Sequence, residues 1–200
     1  MNSDFFVHLT DTHLTLSTDQ GWDALERFVQ QVNAMNPQPA FVVNTGDIVF
    51  ASMKIRSTAE EFFPVFERYQ RIMSALSVPL YNALGNHDMT RCDLTPGEPA
   101  YGKVLFERFC GPRYQSFEWG DIHVVILDEW FITRNNADDE LLRTKDIDDA
   151  QLTWLKQDLT SCHPGQTVIF FLHHPVADCP NMFRKLHNVL RNDLHYTQPD

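Results

Sequence analysis

Four stretches of the chain place metal-binding or proton-carrying side chains directly after short apolar runs. Phe5-Phe6-Val7-His8-Leu9 leads to Thr10-Asp11-Thr12-His13, and Phe41-Val42-Val43 leads to Asn44-Thr45-Gly46-Asp47. Leu80-Tyr81-Asn82-Ala83 leads to Leu84-Gly85-Asn86-His87-Asp88, and Val168-Ile169-Phe170-Phe171-Leu172 leads to His173-His174-Pro175. Carboxylate oxygen, imidazole nitrogen and amide oxygen suit zinc, manganese or iron. Asp11 and His13, two apart in a turn, can face one ion, and Asp47 from a second strand can bridge two. Metals about 3.5–4 Å apart hold a nucleophile and clamp an in-line displacement at phosphorus. Gly46 and Gly85 let the backbone turn sharply just before the ligands. Alone, an Asp-x-His or Gly-Asp pair is ordinary turn chemistry. Four such pieces in order, each at the end of a strand-like run, point to a metal site.

The apolar runs and the segments between them predict the elements that carry this chemistry. Phe5–Leu9, Ala40–Val43, Pro79–Ala83 and Thr167–Leu172 read as buried strands. Trp22, Leu25, Phe28, Val29 and Val32 mark a helix face, which Asn36-Pro37 ends. Phe62 through Leu76 marks a second helix, in which Pro64 fits only in the first turn. Leu105, Phe106 and Phe109 mark a short helix stopped by Gly111-Pro112. Tyr114–Trp119 and Ile122–Leu127 flank Gly120-Asp121 and predict an antiparallel hairpin. Asn135–Asp149 reads as a polar loop, followed by helices over Leu152–Leu159 and Met182–Leu190. This order implies a mixed sheet with helices outside, and chemistry beyond the carboxyl ends of the strands.

Bulk properties agree with one soluble domain spanning 1–200. The 200 residues include 15 Phe, 5 Tyr and 4 Trp, enough aromatic mass for a substantial core. A net charge of −11 gives no electrostatic footprint for nucleic acid. Cys92, Cys110, Cys162 and Cys179 form no C-x-x-C motif and read as reduced thiols of a cytoplasmic protein. Neither a signal peptide nor an apolar run long enough to span a membrane is legible. P-loop, dinucleotide-binding and nucleophile-elbow patterns are all missing from the sequence.

With these four motifs the sequence closely resembles the calcineurin-like metallophosphoesterase family, over nearly its whole length. Gly111-Pro112-Arg113-Tyr114 through Asp128 resembles that family's central hairpin ending in Leu-Asp, and Gln151-Leu152 with Trp154-Leu155 resembles its Gln-Leu-x-Trp-Leu helix. Among its members, the single-domain phosphodiesterases that include cyclic-nucleotide hydrolases are the most similar. The resemblance implies an α/β fold, a four-layer α/β/β/α sandwich with mixed sheets, and two divalent metal ions (manganese, iron or zinc). It implies Asp11 and His13 on the first metal, Asp47 bridging both, and Asn86 and His173 on the second. A bridging hydroxide would attack phosphorus. His87 would donate a proton to the leaving group, oriented by Asp88, and His174 would line the pocket or support a ligand. The implied partner is a small phosphoester, with nucleotides one class of it.

The family's Gly-His-x-His motif has no counterpart in these 200 residues. Either the chain stops short of it or this is a natural short form with a weakened metal site. Asn192–Asp200 carries no terminal helix or strand pattern, which favours the first; His195 as a substitute ligand is the other route. A scaffold of the same fold that binds proteins without turnover is the alternative function. Outside the motifs, His8 and His123 read as packed or hydrogen-bonded strand residues, His163 as a turn, and Trp130 and Phe131 as packing rather than substrate-stacking groups.

Overall fold

The structure, a computed structural model, describes residues 3–51, 57–91, 101–134 and 141–193. Cys92, His195, most of the Met89–Ala100 loop and the stretch 135–140 lie outside the described residues, as does the side chain of Phe131.

The first half is a run of strand–helix units. β1 (Val7–Leu9), β2 (Val42–Asn44) and β3 (Leu80–Asn82) form a parallel sheet in that order, joined by α1 (Gln20–Asn33) and α2 (Ala59–Met73). α3 (Val104–Phe109) follows. β4 (Gln115–Trp119) and β5 (Ile122–Ile126) make the expected antiparallel hairpin, with Gly120 at φ 59° in its turn. β6 (Trp130–Arg134) and β7 (Leu141–Lys145) form a second, separate hairpin. α4 (Asp149–Leu159), β8 (Thr167–Phe171), a 3₁₀ turn at Val176–Asp178 and α5 (Pro180–Asp193) complete the order. β8 pairs in parallel with β5, so the second sheet runs β4-β5-β8 and is mixed.

Three apolar clusters separate four layers. Trp22, Leu25 and Val29 of α1 and Phe66, Tyr69 and Met73 of α2 pack with Leu9 and Leu80 on the outer face of the first sheet. Phe41, Val43 and Ala83, with Phe6 and Tyr81, meet Ile126, Phe117 and Phe171 between the sheets. Val125 and Leu127, with Val168 and Phe170, face Leu155 and Leu159 of α4 and Met182 and Leu186 of α5. The period-2 alternation of a strand sends 125 and 127 one way and 126 the other. The result is the α/β/β/α sandwich that the family resemblance implied.

Three local expectations need correction. α1 stops at Asn33, with the Ala34 N–H closing onto the Gln30 carbonyl, ahead of Asn36-Pro37. Pro64 sits in the second turn of α2, not the first. There it removes one backbone donor, and the helix continues because its apolar face is packed and its start is closed by the Thr58–Glu61 capping box. The polar loop expected over Asn135–Asp149 contains β7, whose partner is the preceding strand β6; cross-strand pairing overrides a charge-rich composition. Among the described residues no helix is long and apolar enough to cross a membrane.

Candidate metal centre

The candidate residues gather where β1, β2, β3 and β8 end. The loops after β1 and β2 run side by side, tied by Asp11 N to Gly46 O (3.0 Å), His13 N to Asp47 O (3.0 Å) and Leu14 N to Ile48 O (2.9 Å). Asp11, His13 and Asp47 all have left-handed backbones, at φ 54°, 44° and 52°. For residues with a Cβ this costs about 1–3 kcal/mol each, and the backbone ladder is what enforces it. Strain concentrated on three adjacent ligand-type residues is expected where side-chain direction matters more than local stability.

The loop after β3 locks onto Asp47. The His87 N–H donates to Asp47 Oδ1 at 2.8 Å. Gly46 has φ 99°, as a sharp turn requires. Gly85 serves a different purpose from the one expected. It has no positive φ, but a Cβ there would lie 2.1 Å from Asp47 N and 2.2 Å from Asp47 Oδ1. Its role is close approach.

Asp47 is the shared corner of two potential ligand groups. His13, Asp47 and His87 bring ligand atoms within 4.8 Å of one another, and so do Asp11, Asp47 and His173. His13 Nε2 lies 3.5 Å from Asp11 Oδ1 and 3.7 Å from Asp47 Oδ2, and His173 Nε2 lies 3.4 Å from Asp47 Oδ2. Asn86 is half-buried between Gly85 and His87 in the same loop. Backbone carbonyls set two of the rings: His87 Nδ1 meets Ala51 O at 2.7 Å and His173 Nδ1 meets Thr45 O at 2.9 Å. A carbonyl only accepts, so both Nδ1 atoms carry hydrogen and both Nε2 atoms are left for other partners. His13 Nδ1 is buried with no hydrogen-bond partner. A shared carboxylate, flanking imidazoles and an orphaned ring nitrogen fit a pair of divalent cations.

The electrostatics match. Burial raises the Asp47 pKa, but the His173 hydrogen bond, the His87 amide and nearby positive charge outweigh it and hold the carboxyl below its ordinary value. Burial opposes the charged form of His173, yet its hydrogen bond to Asp47 and that residue's charge lift its pKa to about 9. Protonated His173 therefore pairs with Asp47 when no metal is bound, and metal uptake must displace that proton.

Asp88 does not orient His87. Its oxygens accept from Val49 N (3.0 Å) and Gly85 N (2.8 Å), and it is fully buried. Burial pushes its carboxyl up to about 7 against those two hydrogen bonds. It closes the turn that carries Asn86 and His87, while the Ala51 carbonyl orients the imidazole. Phe50, 47% exposed, stacks on His87 with centroids 5.0 Å apart and meets His13 edge-on at 5.3 Å.

Sequence reasoning missed two carboxylates after β5. Asp128 takes Lys103 Nζ (2.5 Å) and Arg113 (3.0 Å) on one oxygen, and its backbone is bracketed by Gln151. Lys103 also donates to the Trp130 carbonyl. Glu129 is fully buried and accepts from His174 Nδ1 at 3.0 Å. The signal was present, because Asp128-Glu129 also follows an apolar strand. Trp130 belongs to the core and touches the His174 ring edge-on at 5.0 Å. His8 bonds Thr45 Oγ1 at 2.7 Å, as a hydrogen-bonded strand histidine should.

A family model described as calcineurin-like phosphoesterase matches residues 6–196. The chain is 27% identical to a probable glycerophosphodiester phosphodiesterase of Arcobacter nitrofigilis, over 84% of this chain and 56% of that protein. It is 28% identical to a probable cyclic nucleotide phosphodiesterase of Rhodopseudomonas palustris, over 86% of this chain and 58% of that one. It is also 28% identical to the mouse serine/threonine-protein phosphatase CPPED1, over 76% and 45%. The chain thus spans about half the length of these relatives. Among solved structures, a purple acid phosphatase from yellow lupin seeds aligns with TM-score 0.45 and 16% identity, over 82% of this chain and 29% of that one.

Proposed function

We propose, from the premise that this chain belongs to the calcineurin-like phosphoesterase family, that it hydrolyses phosphodiesters at a two-metal centre built around Asp47. The observation that carries this reading is the pair of ligand groups that share Asp47 as their common corner.

By the family resemblance Asp11 and His13 would hold the first metal, Asn86 and His173 the second, and Asp47 both, whereas the ligand atoms themselves group His13 with His87 and Asp11 with His173 around Asp47. Two divalent ions bound there supply charge for the phosphoryl oxygens and lower the pKa of an attacking water. Asp47 is fixed for its task by two backbone amides, His87 N on its carboxylate and His13 N on its carbonyl, and its left-handed φ aims the carboxylate between the imidazoles. His87 keeps Nδ1–H on the Ala51 carbonyl, so Nε2 is the nitrogen that hands a proton to the leaving oxygen. Phe50, stacked on that ring, limits its rotation. Phosphodiester substrates are favoured over monoesters because two of the relatives are named for phosphodiester cleavage. The identity of the metals (manganese, iron or zinc) and a cytoplasmic setting belong to the same reading.

The test joins elemental analysis with hydrolysis of an aryl phosphodiester in added manganese. Wild type should hold close to two metals and turn over. Asp47→Ala should lose metal and activity together. His87→Ala should keep most of its metal and lose on the order of 100-fold in turnover. A chain that takes up no metal sinks the reading and leaves a protein-binding scaffold of the same fold.

A further inference from the structure

The parallel pairing of β5 and β8 brings two strand ends together: Ile126 stands beside Phe171, and Leu127 N donates to Phe171 O at 3.0 Å. One residue past Asp128, Glu129 therefore reaches the turn that carries His173 and His174. Its Oε1 accepts from His174 N at 2.9 Å and from His174 Nδ1 at 3.0 Å, and Oε2 accepts from His173 N at 3.4 Å. A fully buried carboxylate is costly unless its lone pairs are used. Here the two neighbouring cations, Lys103 and Arg113, are taken by Asp128, so Glu129 is satisfied by N–H groups of the histidine turn.

We propose that Glu129 is a positioning residue for the metal ligand His173, clamping the backbone of the His173–His174 turn and fixing His174 as its Nδ1–H tautomer. The proposal rests on the metal-centre reading above. His173 is then held from two sides: its amide by Glu129, and its ring by the Thr45 carbonyl, which leaves Nε2 on Asp47. Because an oxygen that already accepts one N–H can only accept a second, His174 Nδ1 carries a hydrogen. Supporting contacts of this kind matter to metal sites because they remove the freedom a ligand would otherwise lose on binding; removing one costs about 10–100-fold in affinity.

The experiment compares wild type, Glu129→Gln and Glu129→Leu, each shown to be folded by circular dichroism. Manganese affinity is measured by titration. The His174 tautomer is read from long-range ¹H–¹⁵N spectra of the metal-free chain. Glu129→Leu should weaken one of two manganese sites by about 10-fold or more, leave the other within a few-fold, and lose the fixed Nδ1–H signature. Glu129→Gln, which keeps one acceptor oxygen, should fall between. If Glu129→Leu binds two manganese ions as tightly as wild type and His174 keeps its tautomer, Glu129 is merely a tolerated buried charge and the proposal falls. If wild type itself binds none, it is the metal-centre reading that fails.

Discussion

The two halves of the molecule deliver their share of the site by different means. Up to residue 91 the candidate ligands are aimed by backbone: left-handed φ at Asp11, His13 and Asp47, a ladder of amide–carbonyl bonds, and two glycines in close approach. Beyond residue 101 the turn bearing His173 is aimed by buried side-chain charge, with Asp128 taking the cations and Glu129 the histidines. The first strategy tolerates almost no added volume. The second is sensitive to the loss of a charge.

The contrast predicts opposite sensitivities. Asp128→Ala should have the largest effect on stability, about 3–5 kcal/mol, because it leaves buried Lys103 without a carboxylate and takes one of three from Arg113. Denaturant unfolding measures it, and a loss below about 1 kcal/mol would mean that water reaches Lys103 in place of the carboxylate. Gly85→Ala comes next, at about 3 kcal/mol from overpacking, since the new methyl meets Asp47 backbone rather than a flexible side-chain end. It should also abolish metal uptake, whereas Asp128→Ala should spare the Asp11–His13–Asp47 part of the site. Metal content per folded chain separates the two cases.

The smallest effect concerns His123, which ties the β4–β5 hairpin to α4. Its Nδ1 lies 2.6 Å from Glu118 and its Nε2 2.8 Å from Asp158. Two acceptors require an imidazolium. Burial opposes that charge, but the two carboxylates outweigh it and raise the pKa. With the folded pKa above the unfolded one, this contribution is complete below about pH 6.5 and is lost as pH rises through the folded value. The stability gap between wild type and His123→Gln should therefore narrow from near neutrality upward. A gap that widens with pH would mean that the ring is neutral in the native state.

Much of this was legible in the sequence, for reasons that also mark the limits. The strands before Asp11, Asp47, Asn86 and His173 are short apolar runs ended by polar residues, and the helices repeat at three and four, so local pattern located them. β7 was not legible because Leu141–Lys145 becomes a strand only through its partner β6. The Ala51 and Thr45 carbonyls that orient His87 and His173 have no side-chain signature at all. Asp88 was misread because adjacency in sequence suggested a contact that the turn's geometry spends on backbone amides.

The bond from His173 to the Thr45 carbonyl closes a loop of 128 residues. The ends of so long a segment meet only after both sheets exist, so its entropy is repaid late in folding. Until residue 173 has been made, a nascent chain thus carries Asp11, His13 and Asp47 without the imidazole that balances Asp47. On the proposed two-metal reading, tight capture of the cation held by His173 would report that β8 has docked, and the order of metal uptake during refolding would record the order in which the two sheets assemble.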